Sequence, residues 1–107
     1  MLEGHQGIAD DFPFNTDIDK VIHVPSRLII LSYLYVVKNA DLIFFRRKTQ
    51  LSWGNLSSHA SKLEAAGYIK ITKTFREKKP TTILEITQNG ISAFEKYKSM
   101  MQGVLGD

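Results

Sequence analysis

The sequence predicts a small α+β domain that is mostly helical, and three observations lead to this fold class. The chain has 107 residues, 43% of them hydrophobic, which suits one domain with a core of its own. Apolar residues recur at helical spacing over much of residues 16–66 and again over 88–101. Between these stretches, residues 68–75 and 81–87 alternate as strands do, with a short basic loop between them. We therefore expect helices, a two-stranded hairpin and a closing helix.

The chain divides into a short arm, one domain and a short tail. Residues 1–15 are polar and acidic and are interpreted as a flexible arm, residues 16–102 as the domain, and residues 103–107 as a tail. Thr16 is expected to cap a first helix that stops before Pro25, because the residue before a proline avoids helical dihedral angles.

The second helix is predicted to be the central core helix. It begins at Pro25 or Ser26, where proline and serine suit a helix start, and runs to about Lys38. Because it is apolar on nearly all sides, we expect it to be buried on most of them.

A helix-turn-helix is predicted in the middle of the chain. Asp41 is suited to cap a third helix, over 41–48, and Ser52 a fourth, over 52–66, with residues 49–51 as the tight connection. The inward stripe of the fourth helix follows i, i+4, i+7 spacing: Leu56, Ala60 and Leu63. Its opposite face carries short polar side chains, which favours close approach to another molecule.

A hairpin and a last helix complete the predicted fold. Gly67 is expected to end the fourth helix in the left-handed conformation, and residues 76–80 to form an exposed hairpin loop. Thr87 is expected to cap a helix that runs to about Met101. This order is the layout of a winged helix-turn-helix with a two-stranded β-hairpin wing. Its N- and C-terminal helices are then available for dimerisation.

Positive charge is concentrated in the middle of the chain. Residues 46–79 contain nine lysines and arginines against two glutamates, a net charge of +7, whereas the remainder of the chain carries −4. Such polarisation favours a polyanionic partner, the alternative being an ordinary solvated basic surface.

Other classes of function lack their motifs. The chain has no cysteine, which excludes disulfides, thiol chemistry and cysteine-type zinc sites. It has no phosphate-binding glycine loop, nucleophile elbow or paired-carboxylate motif. We therefore expect no enzymatic activity, no metal and no cofactor. A secretory signal and a bilayer-spanning run are not recognisable either, so we expect a cytoplasmic protein without a membrane partner.

Several segments resemble a known family. Residues 52–59 and 62–69 are similar to the compact single-domain winged-helix regulators related to the MarR and ArsR groups. Residues 23–25 with 27–28, 78–80 with Thr82, and Thr87 with Gly90 extend the similarity, which covers about residues 18–97. The resemblance implies a homodimer that binds double-stranded DNA. It places the fourth helix in the major groove and the hairpin along the backbone or in the minor groove.

Candidate contacts follow from this placement. Asn55 is expected to read a base, because asparagine pairs bidentately with adenine. The basic residues are expected to bind phosphates. The whole set of candidate DNA contacts is Arg46, Arg47, Ser52, Asn55, Ser57, Ser58, Ser61, Lys62, Arg76, Lys78 and Lys79. The candidate dimer interface comprises Ile18, Val21, Ile22, Phe94, Tyr97 and Met101.

Two positions depart from the family pattern. Ala60 stands where leucine is usual, and Arg76-Glu77 where a small residue and glycine are usual. Phosphate would repel Glu77, so the hairpin tip either points away from DNA or forms a different turn. Trp53 is expected to anchor the helix start against the core rather than stack on a sugar.

Different functions remain open at this point. The fold also serves as a protein–protein interaction module, which would need exposed apolar anchors on the fourth helix, or as a double-stranded RNA binder. Within the DNA-binding hypothesis we expect a repressor that excludes polymerase from a promoter, with activation as the alternative. The operator sequence and any small-molecule effector are not assigned.

Overall fold

A computed structural model describes residues 18–106, so the predicted arm and the predicted cap Thr16 lie outside the described residues. The elements, in chain order, are α1 (Pro25–Val37), β1 (Asn39–Asp41), α2 (Leu42–Thr49), α3 (Trp53–Ala65), β2 (Ile69–Arg76), β3 (Lys79–Ile86) and α4 (Gln88–Leu105). The predicted order of helix-turn-helix, hairpin and closing helix is confirmed. α4 continues four residues beyond its expected end.

Residues 18–24 form turns where the first helix was expected, so the helix prediction is wrong for this segment. Asp19 closes the turn, since its Oδ1 accepts hydrogen bonds from the backbone N–H groups of Val21 (2.9 Å) and Ile22 (3.1 Å). Val24 is extended (φ −134°, ψ 123°), as expected for a residue before proline. A local side-chain acceptor and the following proline thus outweigh the helical spacing of the apolar residues.

α1 is a core helix on one side only. Ile30, Leu31 and Leu34 are fully buried, whereas Val36 is 75% exposed and Val37 is also exposed. The expectation that this helix is buried on most sides therefore fails at its apolar outer face, where Ile29, Val36 and Val37 are exposed.

The sheet has three antiparallel strands in the order β1-β3-β2. β1 was not predicted, because a three-residue strand is too short to show an alternating pattern; it pairs through Ala40↔Leu84 and its two neighbours. Lys38 makes the sharp turn into β1 with φ 75°. The wing, which we define as β2 and β3, pairs in continuous register from Ile69↔Ile86 to Arg76↔Lys79.

The wing turn consists of Glu77 and Lys78 alone. Both residues have positive φ (52° and 68°), the backbone of a type I′ turn, which matches the twist of the flanking strands. The predicted five-residue loop over 76–80 is therefore wrong, since Arg76, Lys79 and Pro80 belong to the strands.

The predicted helix starts and the predicted inward stripe of α3 are confirmed. The side chains of Asp41, Ser52 and Thr87 each accept a hydrogen bond from the N–H group three residues later, at 2.9, 3.1 and 3.0 Å. Gly67 follows α3 with φ 84°, as expected. The stripe of α3 packs in the core with Phe45 of α2 and Leu84 of β3; its members, Leu56, Ala60 and Leu63, are at most 2% exposed.

Candidate nucleic-acid interface

α3 presents an exposed face of short polar side chains opposite its buried stripe. Asn55, Ser57, Ser58, Ser61 and Lys62 are all exposed. A Cβ atom added to Gly54 would meet no atom within 4 Å, so the first turn is open to another molecule. The free amide groups and positive dipole end of this helix start favour an anionic group nearby. Exposure and chemistry thus suit the role predicted for this face.

The connection between α2 and α3 is fixed by Arg46. Gln50 adopts the left-handed conformation (φ 63°), which turns the chain toward α3. The Arg46 guanidinium donates hydrogen bonds from Nη1 to the carbonyl oxygens of Leu51 (2.8 Å) and Gln50 (3.4 Å). Arg46 was predicted to bind phosphate, and the structure gives it a role in holding the turn as well. Arg47 and Lys48 lie exposed on the same helix.

Trp53 does not anchor α3 in the core, and the prediction that it does is wrong. Its side chain is 50% exposed, and the Arg46 guanidinium lies over its ring at 5.6 Å from the centroid. Ile43 is exposed to a similar degree. Both line a shallow depression of about 300 Å³ together with Pro80 of the wing. The start of α3 therefore carries an exposed aromatic group stacked with a cation.

A cleft of about 380 Å³ separates α3 from the wing. Its rim carries three hydroxyl groups, one ammonium and one carboxylate, and its floor is apolar. The cleft is lined by Leu42, Ser57, Ala60, Ser61, Glu64, Ile71, Lys73, Thr82 and Leu84. Glu64 joins its two walls, because its Oε2 accepts a hydrogen bond from the Ile71 N–H group at 3.0 Å. Lys73 and Thr82 were not among the predicted DNA contacts, since only the β2–β3 register brings them into the same cleft as Ser57 and Ser61.

The register gives the wing two different faces. The inner face, which lines the cleft, carries Ile71, Lys73 and Phe75 along β2 with their partners Leu84, Thr82 and Pro80 on β3. The outer face carries Arg76, whose guanidinium lies 3.8 Å from the Asp41 carboxylate. Lys78 and Lys79 are exposed at the tip. All three predicted wing contacts are thus exposed, and Arg76 also lies near a carboxylate.

The predicted dimer residues fall into two groups. Ile22, Phe94 and Tyr97 are at most 8% exposed within the protomer. The Tyr97 hydroxyl lies 2.8 Å from Nδ1 of His23, which ties the 18–24 segment to α4. The half-buried group comprises Ile18, Val21 and Met101. Val104 and Leu105 extend the apolar surface of α4 at its exposed end. Contact of these residues with a second copy stays a prediction.

His59 of α3 is partly buried at the edge of the core. Burial, with the nearby charges of Arg27 and Lys62, lowers the pKa of His59, whose Nδ1 is buried without a partner among the described residues. Across residues 18–106, no three His, Asp or Glu side chains come together as metal ligands. None of the helices in this part of the chain has the length and hydropathy to cross a bilayer.

Comparison with known proteins identifies the family. Residues 26–105 match the model of a winged helix DNA-binding domain, and the chain belongs to this family. The resemblance to winged-helix regulators found in the sequence is thereby confirmed.

Individual relatives agree with this assignment. The uncharacterized protein MJ0432 of Methanocaldococcus jannaschii is 32% identical over 78 residues, which are 73% of this chain and 85% of that protein. The structure of a transcriptional regulator homologue from Pyrococcus horikoshii OT3 aligns with a TM-score of 0.75 and 29% identity, covering 79% of this chain and 84% of that one. Overoxidized AbfR bound to DNA shares the fold, with a TM-score of 0.71 and 20% identity over all of this chain and 88% of that one.

Proposed function

We propose that this protein is a sequence-specific double-stranded DNA-binding transcriptional regulator that acts as a homodimer and represses by occupying a promoter. The observation that carries the proposal is the exposed face of α3, with its short uncharged side chains at residues 55, 57, 58 and 61, beside the basic wing tip. Short side chains let a helix lie deep in the major groove, which is wide enough for one helix. The Pyrococcus horikoshii regulator homologue and the AbfR–DNA complex support the same reading.

Within this proposal the residues divide into base-reading and backbone-binding groups. Asn55, in the first turn of α3, pairs with a base edge, while Ser57, Ser58 and Ser61 contact bases or phosphates along the groove. Ser52 and Lys62 mark the two ends of the helix, where a phosphate meets free amide groups and an ammonium respectively. Arg47, Lys78 and Lys79 are exposed and suited to the backbone, and Arg46 and Arg76 add to them with the donors that their present partners leave free.

Base reading is tested by selecting bound sequences from a random duplex pool and then comparing variants on the selected site. Asn55→Ala should relax preference at one base position by about 1–3 kcal/mol while random DNA is bound nearly as before. An equal loss of affinity for every sequence would contradict a base-reading role.

Backbone binding by the wing tip is tested by salt titration. Lys78→Gln combined with Lys79→Gln should lower the slope of log affinity against log salt by about 1.8, because two phosphate contacts no longer release counterions. Lys96→Gln with Lys98→Gln removes the same charge from α4 and is the matched control, with an unchanged slope expected. If both double variants alter the slope equally, the effect is one of net charge and the wing assignment fails.

The homodimer is tested by light scattering coupled to size exclusion. We expect twice the chain mass of 12.1 kDa at micromolar concentration, since the apolar ends of α4 would be covered by a second copy. Met101→Asp should give the single mass, whereas Ser99→Asp, at an exposed position of the same helix, should not. A wild-type monomer would contradict the dimer without touching the DNA-binding proposal.

A protein–protein interaction module is the second candidate, and one observation favours it. Sequence reasoning required exposed apolar anchors on α3 for this function, and Trp53 at the start of α3 is such a group, with the exposed Ile43 of α2 in the same depression. The salt dependence of binding distinguishes the two candidate functions, because DNA binding weakens steeply with salt whereas an apolar protein contact does not. The interaction module would be favoured by two results together: the wild-type protein does not bind duplex DNA, and Trp53→Ala abolishes binding to a protein partner.

A further inference from the structure

Exposed apolar side chains come together where the start of α2, the start of α3 and the wing meet. Ile43 is 53% exposed, and it lines the shallow depression of about 300 Å³ together with Trp53 and Pro80. Phe75 is 71% exposed and is the cross-strand partner of Pro80, so it extends the same surface along the wing. We call these four residues the apolar patch. Exposed apolar patches are typical of sites that contact another molecule.

The apolar patch continues along α2 into a second depression. This depression has a volume of about 720 Å³ and is lined by Asp41, Ile43, Phe44, Arg47 and Lys48. Ile43 and Asp41 line both depressions, so the two adjoin at the start of α2. The Lys48 ammonium lies 5.7 Å from the centroid of the Phe44 ring. The two depressions together form a groove, which is apolar at its centre and has two cationic side chains in its wall.

The charges beside the groove favour an acidic partner. The last turn of α2 carries Arg46, Arg47 and Lys48. None of the three lies within salt-bridge distance of a carboxylate among residues 18–106. The carboxylate of the groove, Asp41, lies instead 3.8 Å from the Arg76 guanidinium. The cations of α2 are therefore available to anionic groups of another molecule, and such complementarity selects among partners.

The groove suits an apolar protein side chain better than a phosphate. Ile43 and Pro80 form apolar parts of its lining, whereas the Asp41 carboxylate would repel a phosphate placed between them. An apolar side chain gains free energy by displacing water from such a lining. Trp53 and the Arg46 guanidinium stacked on it belong to the residue types that dominate the energetics of protein interfaces.

We propose that this groove binds an acidic amphipathic helix of a partner protein, with an apolar side chain between Ile43 and Trp53 and a carboxylate on Arg47 and Lys48. Arg47 follows Ile43 by four residues on α2, a spacing that places the two side chains about 5–6 Å apart. A helix with an acidic residue three or four positions from an apolar one presents the complementary pair at the same separation. The inference gives the second candidate function a partner of defined chemistry, and it does not depend on whether α3 also reads DNA.

Selection of peptides on the full chain tests this proposal. From a library of random peptides we expect enrichment of sequences that carry an apolar residue with Asp or Glu three or four positions away. The chain contains a single tryptophan, so the fluorescence of Trp53 reports binding directly and should shift to shorter wavelength as a peptide covers the ring. Failure to enrich any peptide, or enrichment without acidic residues, would overturn the proposal.

Variants then locate the bound peptide. Ile43→Ala should weaken binding of the selected peptides by about tenfold, because apolar contact area is lost. Arg47→Gln combined with Lys48→Gln should remove the preference for acidic residues. Val36→Ala shortens an exposed apolar side chain of α1 and is the matched control, with unchanged affinity expected. Thermal melting of each variant checks the fold, and Ile43→Leu, which keeps apolar area, should retain most of the affinity.

Duplex binding separates this inference from the proposed function. Ile43→Ala should bind the selected duplex as wild type does, because Ile43 is not among the proposed DNA contacts. If Ile43→Ala weakened duplex and peptide binding equally, the groove would belong to the DNA interface and the inference would fail. Equal peptide affinities of Ile43→Ala and Val36→Ala would overturn the inference and leave DNA binding intact. A wild-type protein that binds the peptides but no duplex would overturn the proposed function and support the groove.

Discussion

Gly90 sets how closely α4 approaches the sheet. A Cβ atom at this position would lie 2.1 Å from the carbonyl oxygen of Tyr68 and 2.9 Å from the side chain of Ile86. Thr87 reinforces the approach, because its hydroxyl donates to the carbonyl oxygen of Gly67 at 2.6 Å while accepting the N–H group of Gly90. The junction of α3, β2 and α4 is therefore held at one point by backbone atoms that cannot yield.

Gly90→Ala should lower the free energy of unfolding by about 2–3 kcal/mol, because the added methyl group meets backbone rather than a movable side chain. Urea denaturation followed by circular dichroism measures this. Gly54→Ala is the matched control, since its Cβ meets nothing within 4 Å; it should stabilise the protein by about 0.5–1 kcal/mol through helix propensity. Equal effects of the two substitutions would contradict a steric role for Gly90.

Residue roles that depend on neighbours in the chain could be predicted, and those that depend on distant ones could not. The caps at Asp41, Ser52 and Thr87 each act on an N–H group three residues away, so the local pattern is sufficient. Trp53 was predicted to be buried because its helical position lies beside the inward stripe. That pattern does not show that the Arg46 guanidinium lies over the Trp53 ring, next to the left-handed turn at Gln50.

At the scale of elements, the turn of the wing carries the most backbone strain. Type I′ turns favour Asn-Gly because both central residues need positive φ, and here Glu77 and Lys78 occupy these positions. A left-handed conformation costs an ordinary L-residue about 1–2 kcal/mol. The cross-strand pairs of β2 and β3 therefore stabilise a turn whose own backbone conformation is unfavourable. The charged residues Glu77 and Lys78 at the tip lower the stability of the protein relative to Asn-Gly.

Replacing Glu77-Lys78 by Asn-Gly should raise the melting temperature by several degrees, since about 1 kcal/mol of turn strain corresponds to roughly 4–8 °C in a domain of this size. Scanning calorimetry is the measurement. Glu77→Gln removes the charge while keeping the backbone preference, and it should leave the melting temperature nearly unchanged. A similar gain from both variants would indicate that charge, not conformation, limits the turn.

Element boundaries were predicted correctly where the apolar pattern is long, and they were missed where only a few residues determine the structure. The pairing of residues 39–41 with β3 depends on tertiary contacts, which a pattern of three residues cannot predict. Residues 18–24 do not form a helix, because the Asp19 side chain accepts hydrogen bonds from the backbone N–H groups of Val21 and Ile22. The cleft escaped prediction for a similar reason: Lys73 and Thr82 are twelve or more residues from Ser57 and Ser61.

Across the whole molecule, Asp19 connects the N-terminal turn to the core. The Tyr68 hydroxyl donates a hydrogen bond to Oδ2 of Asp19, while Oδ1 closes the turn. Burial, followed by this hydrogen bond and the Asp19 charge, raises the pKa of Tyr68 to about 12. Burial and Asp19 also raise the pKa of Tyr97, so two phenols next to one carboxylate hold their protons.

This arrangement predicts a loss of stability at alkaline pH. The unfolded tyrosine loses its proton near pH 10 and the folded Tyr68 near pH 12, so its stabilising contribution is complete below about pH 10 and disappears as the pH rises toward 12. Urea unfolding between pH 8 and 11.5 should show this decline, and Tyr68→Phe should make it shallower while lowering stability at pH 8. Tyr33→Phe, which leaves the Asp19 contact intact, should keep the wild-type steepness. Parallel curves for all three proteins would contradict the assignment.

The continuous pairing of β2 and β3 beyond the core has a consequence for how such a protein diversifies. Pro80 lines the depression with Ile43 and Trp53, and Arg76 lies beside Asp41 at the start of α2, so only the turn between Arg76 and Lys79 extends beyond these contacts. Whole cross-strand pairs can therefore be added at the tip without repacking a helix. The reach of the wing can thus change, in evolution or by design, independently of the face of α3 that we propose reads DNA sequence.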